Sequence, residues 1–181
     1  RILRPFNPYY IARRQMVGLL GDVIAYEGGS NNRVYTAIHD RISASVNDLA
    51  AASAAEYPDG SYAPLTVIGH SLGSVIVSDY VWDNTRGSDQ PYHFRDHPFT
   101  VKNMVLMGSP MAIYALRNNP NADKYDIADA LDAPVQVDPD GGMWLNMFDP
   151  QDPIAFPLKP IESYDKAGVV DCEVQAGNWF L

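Results

Sequence analysis

The sequence has little cysteine, little basic charge and no long apolar run, and each shortage excludes a class of protein. A single cysteine, Cys172, excludes an internal disulfide and a cysteine-based metal site, and it is typical of a reducing, cytoplasmic location. The 13 Lys and Arg against 22 Asp and Glu give a net charge of −9, which argues against a nucleic-acid partner. No stretch reaches the roughly 20 apolar residues of a membrane-spanning helix, so no transmembrane segment is predicted.

The apolar residues that are present predict one α/β domain over residues 1–181. With 46% hydrophobic residues the chain can build a core, and its apolar strands alternate with helical segments. This pattern predicts a mainly parallel sheet with helices on both faces. The predicted strands are Gly21–Tyr26, Pro64–Ile68, Val101–Met107, Met143–Phe148 and Val169–Val174. The first predicted helix carries an apolar stripe with helical spacing, made of Val34, Ile38, Ile42, Val46 and Leu49. A polar excursion or lid is expected over residues 118–141.

The segment Gly69–Gly73 carries the strongest chemical signal. It matches Gly-x-Ser-x-Gly between a predicted strand and a predicted helix, which is the setting of a nucleophile elbow. Ser71 is the predicted nucleophile, and the N–H of Leu72 is the predicted oxyanion donor. Gly69 and Gly73 are expected to avoid clashes between the strand and the helix. The alternative is a chance match in a strand-to-helix crossover.

Two aspartates follow the strand Met143–Phe148, and each precedes a proline. A carboxylate at the carboxyl end of a parallel strand lies where active sites form, and it can orient a histidine. Chain order fits as well, because the acid follows the serine in α/β hydrolases. Ordinary turn chemistry is the alternative for both aspartates. Turn chemistry is the preferred interpretation for Asp149, and catalysis is the preferred one for Asp152.

Three segments resemble one family of known proteins. The chain resembles α/β-hydrolase-fold serine hydrolases of the lipase and esterase type. The segments are similar to the intracellular phospholipase A1 (DDHD-domain) proteins and related bacterial hydrolases. They are Ile68–Ile76, Val105–Pro110 with Leu116 and Arg117 beyond it, and Asn146–Leu158. The resemblance implies an α/β-hydrolase fold, an acyl-enzyme on Ser71, Asp152 as the triad acid, a small-molecule or lipid ester substrate and no cofactor.

The missing element is the histidine base of a triad. The resemblance implies a histidine after Asp152, and none follows it in the sequence, so we expect a domain that is incomplete at both ends. The four histidines are given other roles: His70 is expected to pack or hydrogen-bond structurally, His39 to lie on the surface, and His93 and His97 to lie away from the catalytic edge. They are too few for a metal site, so no metal is predicted. Asp138–Gly141 lacks the later ligands of a calcium loop and is interpreted as a turn.

Two functions from different classes remain open at this point. One is a serine hydrolase of carboxylic esters, which the serine, both glycines and the aspartate in the expected order favour. The other is a catalytically inactive hydrolase-fold scaffold or fragment, which the absent base favours. The sequence does not give the oligomeric state.

Overall fold

The structure is a computed structural model that describes residues 17, 21, 25–26, 32–58, 61–117 and 135–177. The chain divides into two compact units, residues 1–46 and 47–181. The predicted excursion lies mostly outside the described residues, which resume at Val135 and form a loop and turn up to Gly142. None of the described helices is long and apolar enough to span a membrane.

In residues 1–46, the described part is an aromatic cluster beside a helix. Helix α1 is Arg33–Ser53, so its residues from Asn47 onward belong to the second unit. The Asn32 side chain caps α1 by accepting a hydrogen bond from the N–H of Val34 at 2.8 Å. The Tyr26 hydroxyl lies 3.0 Å from His39 Nε2, and the Tyr35 ring stacks on the His39 ring at 3.9 Å. His39 is therefore half-buried against aromatic rings, whereas the sequence predicts a surface position for it.

The strand expected at Gly21–Tyr26 is wrong for the residues that the structure describes. The described residues of the predicted strand Gly21–Tyr26, which are Gly21, Ala25 and Tyr26, are helical. A short apolar run fits a strand and a buried helix equally well, so the sequence pattern could not decide between them. The expected α1 helix is confirmed. Its one buried residue is Tyr35, and Val34 and Leu49 of its apolar stripe are exposed.

In residues 47–181, four parallel strands form one sheet in the order β1-β2-β3-β4. The strands are β1 Ala63–His70, β2 Phe99–Met107, β3 Met143–Phe148 and β4 Val169–Glu173. The helices are α2 Leu72–Thr85, α3 Met111–Arg117 and α4 Glu162–Lys166. The four core strands expected from the sequence are confirmed, with ends that shift by one or two residues.

The helices of this unit cover one face of the sheet. A Cβ on Gly69 would meet α2, so α2 lies on the face to which Gly69 belongs. The strand register places Trp144 on the same face. Trp144 packs edge-on against Tyr164 of α4, so α4 lies on that face as well. The other face exposes Ile68 and Val170, at 60% and 52%. The expectation of helices on both faces is thus not met within residues 47–58, 61–117 and 135–177. Because strand order follows chain order, right-handed crossovers place every connecting helix on the same side.

Candidate active site

The turn between β1 and α2 holds Ser71 in a strained backbone conformation. Its φ of 52° and ψ of −134° make Ser71 the only described residue other than glycine with a positive φ. Such a conformation costs of order 1–3 kcal/mol and is kept where the surrounding structure fixes it. The N–H of Ser71 donates to the carbonyl oxygen of Met107 at 2.9 Å, which ties the turn to the end of β2.

The Ser71 hydroxyl is not used by the helix that it precedes. Serine is a favoured helix N-cap, yet Ser71 makes no side-chain cap hydrogen bond, and its Oγ bonds to no other described residue. Ser71 is half-buried, so the hydroxyl is not sealed in the core. Leu72 is the first residue of α2, and its N–H therefore has no acceptor inside the helix. The turn offers a hydroxyl and an adjacent N–H, as a nucleophile elbow requires.

The two elbow glycines have different surroundings. A Cβ on Gly69 would lie 2.5 Å from Cα of Ser74 and 2.9 Å from Cγ2 of Val77, so the close approach of β1 and α2 needs glycine there. A Cβ on Gly73 would meet no described atom within 4 Å. The clash predicted for both glycines is thus found at Gly69 only.

The two aspartates after β3 also differ. Asp149 is buried, and both of its carboxylate oxygens are used: Oδ1 accepts the N–H of Gln151 at 2.9 Å and Oδ2 that of Ala176 at 2.8 Å. The bond from Gln151, and then the one from Ala176, lowers the pKa of Asp149 below its ordinary value. Asp149 therefore joins the turn after β3 to the chain after β4, which agrees with the structural role expected for it.

Asp152 keeps one carboxylate oxygen available. Its Oδ1 accepts the N–H of Ile154 at 3.0 Å, whereas its Oδ2 accepts no hydrogen bond from a described residue. Oδ2 lies 3.5 Å from the place where a Cβ on Gly108 would stand. Gly108 ends β2 with a φ of 55°, and its N–H donates to the carbonyl oxygen of Met147 at 3.0 Å. Asp152 thus faces the end of the strand next to Ser71.

The segment that carries Asp152 is fixed by polar contacts from β3 and β4. Nδ2 of Asn146 donates to the carbonyl oxygen of Phe156 at 3.0 Å and to Oδ1 of Asp171 at 2.7 Å. The Asp171 carboxylate also accepts the N–H groups of Leu158, at 3.0 Å, and Lys159, at 2.8 Å. This pair could not be found from the sequence, because two polar residues in apolar strands become partners only through the register of β3 with β4.

Among the described residues of the second unit, no histidine hydrogen-bonds to Ser71. His70 is exposed, and its Nε2 lies 3.7 Å from the same Cβ position on Gly108, but it hydrogen-bonds neither Ser71, Asp152 nor any other described residue. Of the two structural contacts expected of His70, the hydrogen bond is thus not found among the described residues, while the ring lies close to the Gly108 turn. His93 pairs with Thr100 and stacks on Tyr62 at 4.0 Å, at the amino end of β2 and away from the catalytic edge as expected.

The acidic turn before β3 serves the fold. The Asp138 carboxylate accepts hydrogen bonds from the Lys102 ammonium and from the N–H of Asp140, each at 2.9 Å. The bond from Lys102 contributes most to lowering the pKa of Asp138. A Cβ on Gly142 would lie 2.3 Å from the carbonyl oxygen of Asp138. Within the described ranges, no group of three or more His, Cys, Asp and Glu residues is arranged to hold a metal ion.

Comparisons of the chain with protein-family models, with curated proteins and with solved structures give no match. The class that the fold defines is therefore α/β with a parallel sheet, and membership in a hydrolase family stays a prediction based on the motif segments.

Proposed function

We propose that the chain is a serine hydrolase of carboxylic esters with an α/β-hydrolase fold and Ser71 as its nucleophile. The observation that carries the proposal is the backbone of Ser71, which is strained at φ 52° while its hydroxyl remains unbonded within the described residues. A serine that needed only to end a strand would take an ordinary φ and cap the helix.

In the proposed reaction, Ser71 Oγ attacks the ester carbonyl carbon and forms the acyl–oxygen bond. The N–H of Leu72 stabilises the negative charge that develops on the carbonyl oxygen. The carbon–alkoxide bond then breaks, and the alcohol leaves with the proton that Ser71 gave up. Water cleaves the acyl-enzyme and restores the hydroxyl, so no cofactor enters the reaction.

Asp152 is the acid of the proposed triad. Its Oδ2 is available to accept a histidine N–H, whereas Asp149 has both oxygens bonded to backbone. The proton transfer needs a histidine that hydrogen-bonds to Asp152, takes the proton from Ser71 and gives it to the leaving alcohol. In the described structure His39, His70, His93 and His97 make no such bond, so the base of the proposed reaction is assigned to none of them. The ester substrate, whether a small molecule or a lipid, rests on the resemblance to lipases and esterases.

One observation favours a second candidate, a hydrolase-fold scaffold without activity. Neither Ser71 Oγ nor Asp152 hydrogen-bonds to a histidine among the described residues, so the constellation has two of its three members. A scaffold has no need of a strained serine at a strand end, and Ser71 therefore gives the enzyme the stronger support.

The test is hydrolysis of short-chain nitrophenyl esters by the wild type, Ser71→Ala and Asp152→Asn. The proposal predicts a loss of about 10³-fold or more in kcat/KM for Ser71→Ala and a large loss for Asp152→Asn, because triad members act as a unit. Ser78→Ala is the control, since it removes a buried hydroxyl from the same helix. A wild type that hydrolyses none of the esters above the background rate would support the scaffold, and equal measurable hydrolysis by the wild type and Ser71→Ala would contradict Ser71 as the nucleophile.

A further inference from the structure

Two buried hydroxyls lie beneath the elbow and connect it to the loop after β2. Ser74 and Ser109 are each 0% exposed, and their Oγ atoms are 2.6 Å apart although 35 residues separate them. Ser74 Oγ also lies 2.6 Å from the carbonyl oxygen of Ser71. Ser109 Oγ lies 3.2 Å from the backbone nitrogen of Met111. The four groups form one continuous chain of hydrogen bonds.

The direction of this chain follows from counting protons. The carbonyl oxygen of Ser71 can only accept, so Ser74 donates its one hydroxyl proton to it. The contact between the two hydroxyls then needs a proton from Ser109. Ser109 can give it, because the N–H of Met111 fills the acceptor side of Ser109. The order is therefore Met111 N–H to Ser109, Ser109 to Ser74, and Ser74 to the Ser71 carbonyl.

The acceptor at the end of the chain belongs to the peptide unit that carries the proposed oxyanion donor. The carbonyl of Ser71 and the N–H of Leu72 share one planar trans peptide and point in opposite directions. Whatever fixes the direction of that carbonyl also fixes the direction of the N–H. A rotation of this peptide would break the 2.6 Å bond from Ser74 and turn the donor away.

We propose that Ser109 and Ser74 are positioning residues for the oxyanion donor, Leu72 N–H. The inference rests on the proposed function, because only a reaction at Ser71 gives the direction of that N–H a catalytic meaning. Neither serine touches the substrate. Ser74 N–H also donates to the Ser71 carbonyl at 3.0 Å, so loss of one hydroxyl loosens the peptide without freeing it.

The experiment compares Ser109→Ala, Ser74→Ala and the double variant with a matched control, Ser78→Ala. Each substitution removes one oxygen atom and adds nothing, and the two relay variants break the same chain at different points, so either one that folds is sufficient. Ser78 is buried on the same helix, and its hydroxyl has no hydrogen-bond partner among the described residues. Two quantities are measured on the full chain: the rate of Ser71 labelling by a fluorophosphonate, and the position of the Leu72 amide resonance in ¹⁵N NMR spectra.

The expected result is a loss of about tenfold in labelling rate for each single relay variant, a fraction of the 10²–10³ that removal of an oxyanion donor costs. The double variant should lose no more than Ser74→Ala, because the two hydroxyls act in series. The Leu72 resonance should move in Ser109→Ala and stay in place in Ser78→Ala.

Two outcomes would overturn the inference. One is a Leu72 resonance that moves no further in Ser109→Ala than in the control. The other is a double variant whose labelling loss equals the product of the single losses. A wild-type chain that is not labelled contradicts the proposed function instead, and the Leu72 resonance then still tests the relay by itself.

Discussion

Gly69 and Ser74 approach so closely that a Cβ atom on Gly69 would lie 2.5 Å from the Ser74 Cα. Since that neighbour is backbone, α2 would have to move away from β1 to accept any side chain. Gly69→Ala is therefore expected to destabilise the fold by about 1–3 kcal/mol, as overpacking does in cores. It should also slow Ser71 labelling, because the shift moves the elbow. Chemical denaturation and fluorophosphonate labelling measure the two effects.

The matched control is Gly73→Ala in the same motif. A Cβ there meets no described atom within 4 Å, and the residue lies in the first turn of α2. Replacement of a helical glycine by alanine is expected to be neutral or to stabilise the fold by about 0.4–1 kcal/mol. If Gly73→Ala destabilises the chain as much as Gly69→Ala, the steric account of the elbow is wrong.

The strain at Ser71 predicts a difference between two replacements of that residue. Both Ser71→Ala and Ser71→Gly remove the hydroxyl, but only glycine adopts a φ of 52° without strain. Ser71→Gly is therefore expected to be more stable than Ser71→Ala by about 1–3 kcal/mol, the cost of a sparsely populated positive-φ conformation for a residue with a Cβ. Denaturant midpoints of the two variants give the comparison, and equal midpoints would mean that the turn stores no strain.

Replacement of Asp149 is predicted to lower stability, and replacement of Asp152 is predicted to lower activity. Asp149→Asn removes a carboxylate that holds the backbone of Gln151 and Ala176, and it should lower stability at neutral pH. Asp152→Asn retains an oxygen for the N–H of Ile154, so its stability should change by less than about 0.5 kcal/mol while hydrolysis falls. Thermal unfolding beside ester hydrolysis tests the separation, which fails if both variants change the same property.

The pH dependence of Asp149 follows from the direction of its pKa. Hydrogen bonds from Gln151 and Ala176 lower the pKa in the folded state, so folding favours the charged carboxylate. Its contribution to stability is complete above the unfolded value of about 3.9 and is lost as pH falls through the lower folded value. The stability difference between the wild type and Asp149→Asn should therefore shrink below about pH 3.9. A difference independent of pH would contradict the bonding described for Asp149.

The parallel sheet could be predicted from the sequence because each of its strands has enough information in its own residues. Met143–Phe148 is apolar and bounded by turn residues, and the structure gives the same bounds. Gly21–Tyr26 has the same length but includes Gly21 and Asp22, and its described residues are helical. That the described helices of the second unit lie on one face of the sheet could not be predicted, because it depends on strand order, which no single segment encodes.

The candidate site could be predicted only where a motif is local. Gly69, Ser71 and Leu72 lie within four residues, and the strand-turn-helix around them gave the elbow directly. The bond between Ser74 and Ser109 joins two residues 35 positions apart, and a serine before Pro110 is ordinary turn chemistry in a sequence. Gly108 likewise gave no signal beyond a turn, although its positive φ brings Asp152 to the end of β2.

The measurement that tests the central claim most directly is the intact mass of the chain after fluorophosphonate treatment, for the wild type and Ser71→Ala. A reactive serine hydrolase predicts one adduct on the wild type and none on Ser71→Ala, with slower labelling of Asp152→Asn. Ser78→Ala, which changes a buried serine of the same helix, should be labelled like the wild type. An unlabelled wild-type chain, or an adduct that persists in Ser71→Ala, would contradict the assignment of Ser71 as the nucleophile.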